Sequence, residues 1–241
     1  MQHNGQTVTE YNDERPLGRG YIGLQYREGP IAFRNVRLRP LGMQSLFNGK
    51  DLSGWKEYPD MDSEFSVQNS EGDDEENTGK GVLHVKDGRG QLETVDRFGD
   101  FVLQLDCKTH ADGLNSGVFF RCIPGDVMMG YECQIHNGVK GGDPTQPEDC
   151  GTGGIFRRQD ARRVVADDQA WFSQTLVVTG PHISAWVNGY QVSDWSDTRK
   201  PHANPRKGLR LESGTLMIQG HDPTTDISFR NLRAGELPAR R

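Results

Sequence analysis

Apolar and polar residues alternate along much of this chain, and this period of two restricts the fold more than any other feature. In the stretch FVLQLDCK, residues 101–108, Phe101, Leu103, Leu105 and Cys107 share one face. Such alternation predicts a strand that buries one side against a core. Comparable stretches occur at 81–85, 117–122, 130–137, 174–178, 183–187 and 227–232. The only helical candidate is 160–168, which has the length of one or two turns.

Turn-forming residues separate these predicted strands. Residues 179–182, TGPH, join two of them, and Asn188–Gly189 is typical of a two-residue hairpin turn. The 30 glycines and 12 prolines suit many short strands better than helices. The chain is therefore predicted to be all-β, an antiparallel β-sandwich, with enough residues for one large domain.

Charge and hydropathy exclude several partners. The net charge of −6 argues against a nucleic-acid partner, and no apolar run has the length of a membrane-spanning helix. No signal peptide is present in the chain. The four cysteines, Cys107, Cys122, Cys133 and Cys150, form no CxxC pair. Buried free thiols are the first interpretation, and a disulfide is the alternative for an exported protein.

The start of the chain repeats a phrase from near its end. The sequence NGQTVTEYNDERP at 4–16 aligns with NGYQVSDWSDTRKP at 188–201, and IAFRNVRL at 31–38 aligns with ISFRNLRA at 227–234. Residues 1–42 are therefore interpreted as the C-terminal fragment of a preceding copy of the domain that occupies 43–238. Because a fragment of this size cannot bury its apolar residues alone, 22–25 and 31–38 are predicted to dock as extra strands on a sheet edge. The edge would belong to the same molecule, to a tandem domain or to another copy.

Five motifs in order resemble a known family. They are SLFNGKDLSGW at 45–55, GDFVLQLDCKTHADGLNSGVFFR at 99–121, GYECQIHNG at 130–138, ISAWVNGYQV at 183–192 and LMIQGHDPTTDISFRNLR at 216–233. In this order they resemble the 3-keto-disaccharide hydrolase domain family. The resemblance implies a concanavalin A-like jelly roll with a sugar on one sheet, a bacterial origin, and a periplasmic or extracellular location.

The segment GYECQIHN carries the main candidate site. On a strand, Glu132, Gln134 and His136 would share one face, while Tyr131 and its alternating neighbours would face the core. A carboxylate, an amide and an imidazole in one row predict a sugar site, with Glu132 and His136 as catalytic candidates and Gln134 as a substrate ligand. The alternative is an ordinary polar sheet face.

Arg121 and Asn115 extend this site. If the strand GVFFRC pairs with GYECQIHN, Arg121 can reach Glu132, either as a structural ion pair or as a clamp that stabilises an oxyanion. Asn115 lies just before that strand, where it would bind sugar hydroxyls or form a turn. The glycine- and acid-rich loop 141–154 is predicted to form a rim over the site.

Three further substrate-binding candidates lie downstream. Gln219 and His221 would share one face of the strand LMIQGH, although His221 is equally well explained as a turn residue. Trp195 is a candidate for stacking on a sugar ring. A divalent metal held by His136, Glu132 and His221 is a further candidate, although the spacing alone is a weak signal.

The predicted function is a hydrolase or lyase that acts on 3-keto-glycosides (3-keto-disaccharides), such as the resemblance implies. The ketone at C3 acidifies the C2 proton, so that one base, one oxyanion group and one acid suffice for elimination at C1 followed by hydration. The alternative is a non-catalytic carbohydrate-binding module of a larger polysaccharide-processing protein. A conventional glycosidase ranks last because it requires two opposed carboxylates and only Glu132 is well placed.

Overall fold

The structure, a computed structural model, describes residues 2–12, 14, 22–34, 36, 38–69 and 81–237. The chain divides into two compact units, Met1–Arg39 and Pro40–Arg241. In the first unit, strands β1 (Gln2–His3) and β2 (Gln6–Thr7) form a short antiparallel hairpin. The described residues of 22–25 and 31–38 carry no strand, and positions 35 and 37 lie outside the described residues. The assignment of 1–42 to a docked fragment of a preceding copy stays a prediction.

The second unit contains two antiparallel sheets. The larger sheet comprises eight strands: β3 (Gln44–Ser45), β5 (Glu64–Asn69), β6 (Gly81–Lys86), β8 (Phe101–Thr109), β11 (Phe172–Thr179), β12 (His182–Val187), β13 (Tyr190–Ser196) and β15 (Asp226–Glu236). Its order is β13-β12-β11-β8-β15-β6-β5, with β3 paired to β15. The smaller sheet comprises β4 (Trp55–Glu57), β7 (Gly90–Thr94), β9 (Ser116–Cys122), β10 (Tyr131–Ile135) and β14 (Thr215–Gly220). Its order is β10-β9-β14-β7-β4.

Alternating side chains of both sheets build the core. Phe101, Leu103, Leu105 and Cys107 of β8 point inward, as the sequence pattern predicts, and pack in one cluster with residues of the smaller sheet such as Phe120. Burial of this apolar surface is the main favourable term that holds the two sheets together. The prediction of an all-β concanavalin A-like jelly roll is confirmed.

Local predictions are largely confirmed. Strands β11 and β12 form the predicted hairpin, and Asn188 and Gly189 both adopt the positive φ that a two-residue turn between β12 and β13 requires. Residues 160–168 form no helix, and the short 3₁₀ turn in the described residues lies instead at Lys140–Gly142. All four cysteines are buried and free. No helix in the described part of the chain is long and apolar enough to cross a membrane.

Candidate functional site

The outer face of the smaller sheet, the face turned away from the core, carries the candidate site. Alternation along β10 sends Tyr131 and Cys133 into the core, so Glu132 and Gln134 project outward. In the antiparallel register, Glu132 lies opposite Phe119 and Gln134 lies opposite Gly117 of β9. On β14, Gln219 belongs to the same outer face. Loops cover this face and leave a pocket.

The pocket has a volume of about 330 Å³. Its lining comprises Arg89, Asn115, Met128, Glu132, Gln134, Asp149, Phe156, Arg206, Gln219 and His221. Five of these ten residues, Asn115, Glu132, Gln134, Gln219 and His221, were predicted as site residues, and a sixth, Asp149, belongs to the loop 141–154 that was predicted as the rim. Their convergence from two strands and two strand ends is what a ligand site of this fold requires.

Glu132 has an unusual environment for a carboxylate. Its side chain is nearly buried, with 7% of its surface exposed, and no hydrogen bond to its carboxylate oxygens is present among the described residues. Burial raises its pKa from 4.5 to about 7; Arg206 opposes this rise and Asp149 adds to it. Such a group exchanges a proton near neutral pH, which is the property of a general base or acid.

Gly117 makes room for this carboxylate. A Cβ atom on Gly117 would lie 2.8 Å from Glu132 Oε1 and 3.0 Å from its Cγ. The Glu132 side chain therefore leans over the bare backbone of the neighbouring strand. Any larger residue at position 117 would displace the carboxylate.

The rim loop holds the polar residues beside Glu132. Gln134 donates from Nε2 to the backbone oxygen of Asp149, at 3.0 Å, and to its Oδ2, at 2.8 Å. Asn115 donates from Nδ2 to the same Asp149 Oδ2. Asp149 and Cys150 both have positive φ, at 40° and 73°, in the tight turn that aims this carboxylate at the sheet. The loop 141–154 was predicted as a rim, and Asp149 is the residue of this loop that accepts hydrogen bonds from Asn115 and Gln134.

Three amide oxygens in this pocket lack partners. Asn115 Oδ1, Gln134 Oε1 and Gln219 Oε1 are buried and accept no hydrogen bond from any residue that the structure describes. An unsatisfied buried acceptor costs about 1–3 kcal/mol, so each of these oxygens is stabilised by any donor that water or a ligand brings into the pocket. Hydroxyl groups are the simplest donors that fit several neutral acceptors.

His221 lies at the rim of the same pocket. Its Nδ1 is 2.7 Å from Asp222 Oδ2, and it is about two-fifths exposed. The Nε2 atom of His221 has no hydrogen bond among the residues that the structure describes. The predicted alternative, a turn residue before Asp222, also describes its backbone, which bonds to Thr225.

Arg121 lies elsewhere, and the expected contact with Glu132 is not formed. Its guanidinium is fully buried and donates to the carbonyls of Gly99, Gly180 and Arg210 and to Asp100 Oδ1. A register shift between β14 and β9 and a φ of 48° at Arg121 turn it off the pocket face. Arg121 therefore has the structural role that the sequence left open, and its prediction as an oxyanion group is not supported.

His136 and Trp195 do not line the pocket either. Strand β10 ends at Ile135, and the His136 ring turns toward Gly138, whose amide donates to its Nδ1 at 3.1 Å. Trp195 packs edge-to-face on Tyr131, with ring centroids 6.4 Å apart, against the core. Their predicted roles in catalysis and sugar stacking have no support from position.

Four lining residues were missed by the sequence argument: Arg89, Met128, Phe156 and Arg206. All come from turns or loops, where alternation gives no direction for the side chain. Arg206 donates from Nε and one terminal nitrogen to the carbonyl of Met128, at 3.1 and 2.8 Å, and lies over the ring of Phe119. The length and the turn-rich composition of the loop 200–210 were the features of the sequence that could have pointed to Arg206.

The predicted metal ligands do not form a cluster. Among the described residues, only His84, His110 and Asp226 form a group of three or more such side chains with their ligand atoms within 4.8 Å of one another. That group lies on the larger sheet, and His84 is already bonded to Gln68 and Asp226 while His110 bonds to Ser228. Glu132, His136 and His221 are not brought together.

Two antiparallel sheets with a covered polar pocket on the smaller one define a jelly-roll protein of the concanavalin A-like class. The chain belongs to the 3-keto-alpha-glucoside-1,2-lyase-like domain family, whose model matches residues 42–234. This confirms the resemblance predicted from the five motifs.

Solved structures show the same fold at low sequence identity. A "putative glycosyl hydrolase" from Parabacteroides distasonis is 23% identical, with a TM-score of 0.60 over 82% of this chain and 94% of that chain. A second protein of that description and organism is 24% identical, with a TM-score of 0.56 over 81% and 99%. The carbohydrate binding module CBM66 from Bacillus subtilis is 12% identical, with a TM-score of 0.50 over 76% and 96%. No curated protein matches the chain.

Proposed function

We propose that this protein cleaves 3-keto-glycosides by removing the proton from C2 and expelling the substituent at C1. The observation that carries the proposal is Glu132, a nearly buried carboxylate at the floor of a pocket, to which no described residue donates a hydrogen bond and whose pKa is raised to about 7. The C2 proton of a 3-keto sugar is acidic because its removal gives an enolate. A carboxylate that ionises near neutral pH is a stronger base than an ordinary glutamate.

The reaction proceeds in two stages. Glu132 takes the C2 proton, and the electron pair of the C2–H bond forms the enolate whose negative charge rests on the C3 oxygen. The enolate then reforms the ketone, a double bond forms between C1 and C2, and the C1–O bond breaks with its electrons on the leaving oxygen, which takes up a proton. Addition of water to C1 and return of a proton to C2 complete a net hydrolysis, and release of the unsaturated sugar completes a lyase reaction.

The amide oxygens hold the sugar. Asn115 Oδ1, Gln134 Oε1 and Gln219 Oε1 accept hydrogen bonds from hydroxyl groups, which removes their desolvation penalty on binding. Asp149 fixes the Asn115 and Gln134 amides from behind, so that their oxygens face the ligand. Their fixed orientation lowers the entropic cost of placing C2 against Glu132.

Two basic side chains of the pocket serve the charges that develop. Arg206 is the cation whose charge acts most strongly on Glu132, and it takes over the oxyanion role first predicted for Arg121. His221, at the rim with a free Nε2, supplies the proton to the leaving oxygen. Membership of the 3-keto-alpha-glucoside-1,2-lyase-like family supports the same reaction class.

The test is turnover of the 3-keto derivative of 4-nitrophenyl glucoside by the Glu132→Gln variant. We expect kcat to fall at least about 100-fold, because the amide cannot accept the C2 proton. Glu64→Gln, an exposed residue of β5 on the other sheet, is the matched control and keeps full activity. Equal release of 4-nitrophenol by Glu132→Gln and wild type would contradict the proposal. Binding of unoxidised glycans without turnover of the keto substrate would identify a binding module instead.

A further inference from the structure

A second, arginine-lined pocket adjoins the first. Its volume is about 190 Å³, and its lining includes Glu132, Phe156, Arg157, Arg158 and Arg206. Glu132, Phe156 and Arg206 line both pockets. The Glu132 carboxylate therefore stands where the two compartments meet.

The three arginines of this second pocket form no direct ion pair with any described carboxylate. No salt bridge joins Arg157, Arg158 or Arg206 to a carboxylate in the part of the chain that the structure describes, whereas Arg121, Arg199, Arg210 and Arg230 each have one. The hydrogen bonds of Arg158 and Arg206 go to neutral carbonyl oxygens. The Arg157 guanidinium lies over the Phe156 ring, 5.1 Å from its centroid. Glu132 attracts Arg157 and Arg206, and Asp197 attracts Arg158, but no carboxylate contacts any of the three guanidinium groups in the described part of the chain, so the cluster stays positively charged.

Guanidinium groups recognise carboxylates, sulfates and phosphates through two parallel N–H bonds. Glu132 is the only acid among the lining residues of the second pocket, and its raised pKa leaves it half neutral near pH 7. The net charge of the pocket therefore favours an anion. Phe156 adds an apolar wall on the side that faces the first pocket.

The reaction geometry decides which part of the substrate enters this pocket. If the amides of the first pocket hold the keto sugar with C2 at Glu132, then C1 is one bond from C2, and the C1 substituent lies close to the space that the second pocket encloses. Because Glu132 lines both pockets and the sugar fills the first, we place the leaving group in the second pocket. This step rests on the proposed function.

We propose that the second pocket is a leaving-group subsite, and that its arginines select 3-keto-glycosides whose leaving group carries an anionic substituent. Arg157 and Arg158 bind the anion, and Phe156 contacts the ring that bears it. A neutral leaving group fits the same space without that charge-assisted contact.

The experiment compares two substrates that differ by one charge: the 3-keto derivatives of 4-carboxyphenyl glucoside and 4-carbamoylphenyl glucoside. Wild type should show a KM at least about tenfold lower for the carboxylate, and added salt should reduce that preference because surface charges are screened. In Arg157→Gln the ratio of kcat/KM for the carboxyphenyl substrate to that for the carbamoylphenyl substrate should fall toward one, because only the charged substrate loses a charge-assisted contact. Arg158→Gln provides a second variant, and Arg163→Gln, an exposed arginine outside both pockets, is the matched control. A 4-sulfooxyphenyl substrate distinguishes a carboxylate site from a general anion site.

Binding of the two unoxidised glucosides, measured by calorimetry, separates this proposal from the proposed function. A tighter Kd for the carboxyphenyl glucoside that Arg157→Gln removes supports the subsite even if neither keto substrate is turned over, which would sink the proposed function alone. Turnover with equal KM and equal Kd for the charged and neutral pairs overturns the subsite and leaves the proposed function intact.

Discussion

The chemistry of the site depends on the environment of the Glu132 carboxylate, to which no described residue donates a hydrogen bond. Most nearly buried carboxylates are paired with a cation or with backbone amides, which lowers their pKa. Among the described residues, no cation or backbone amide contacts the Glu132 carboxylate, so desolvation outweighs the attraction of Arg206 and Arg157 and its pKa rises to about 7. Strongly perturbed pKa values of this kind concentrate at functional sites, which is why Glu132 is the main candidate for a catalytic group.

This environment has a consequence for stability that Glu132→Gln reveals. Between pH 4.5 and about 7 the folded protein keeps a proton on Glu132 that the unfolded chain releases, so wild type loses stability as pH rises through that window. Glutamine does not titrate. We expect the free energy of unfolding of the variant to exceed that of wild type by up to about 3 kcal/mol at pH 8, with the smallest difference near pH 4.

Urea unfolding at several pH values measures that difference. The contributions of all other carboxylates to the pH dependence of stability cancel, because both proteins share them. A constant difference across the pH range would contradict the raised pKa.

The same pKa predicts the pH dependence of activity. Between pH 4.5 and about 7, kcat/KM of wild type should rise with pH and then level, because Glu132 acts as a base only when it is ionised. A rate that falls through this range would give Glu132 the role of an acid.

At the scale of elements, strands β9 and β10 form the floor of the site, and their contact depends on Gly117. Gly117→Ala should push the Glu132 carboxylate aside, because the new Cβ would lie 2.8 Å from Oε1. We expect a loss of about tenfold or more in kcat and little change in Tm, since the displaced atoms are the end of a flexible side chain. Gly99→Ala is the control, because its Cβ would meet no atom closer than 3.8 Å. Full activity of Gly117→Ala would show that the carboxylate position is not critical.

Arg121 shows where sequence reasoning about strands stops. The alternation of β10 placed Glu132 and Gln134 correctly, because a regular strand sends alternate residues to opposite faces. On β9 a bulge inserts an extra residue relative to β14, and Arg121 adopts a φ of 48°, so the alternation is broken just where the arginine stands. A bulge depends on the partner strand and leaves no periodic trace in the sequence.

The bulge gives Arg121 a measurable structural role. Arg121→Ala removes the cation paired with Asp100, which keeps only the Gly180 amide as donor, and removes one donor from each of three backbone carbonyls; it should cost about 3–5 kcal/mol in the free energy of unfolding. Arg233→Ala, an exposed arginine of β15, should change it by less than about 0.5 kcal/mol. The measurement is urea denaturation, with KM determined on the folded protein. A stable Arg121→Ala protein that has lost substrate binding would return Arg121 to the site.

At the scale of the whole molecule, the sandwich could be predicted because strand alternation and turn residues are local signals that agree along the chain. Only about half of the residues that line the pocket could be predicted from the sequence. Residues on strands or at strand ends were found, whereas Arg89, Phe156 and Arg206 project from turns and loops whose course the sequence does not specify. The arginine-lined pocket is invisible at the level of sequence for the same reason, since Phe156–Arg158 and Arg206 are distant along the chain.

The last prediction concerns the unit Met1–Arg39. Every residue of the main core cluster and of both pockets lies within Pro40–Arg241, the other compact unit. The chain shortened to 40–241 should therefore unfold cooperatively, with a Tm close to that of the full chain, and should keep kcat on the keto substrate. Calorimetry and the 4-nitrophenol assay test this. If residues 22–25 and 31–38 instead act as extra strands that pair on a sheet edge, within or between molecules, the shortened chain will lose several degrees in Tm or lose a dimer in sedimentation, because an unpaired edge exposes backbone donors and acceptors.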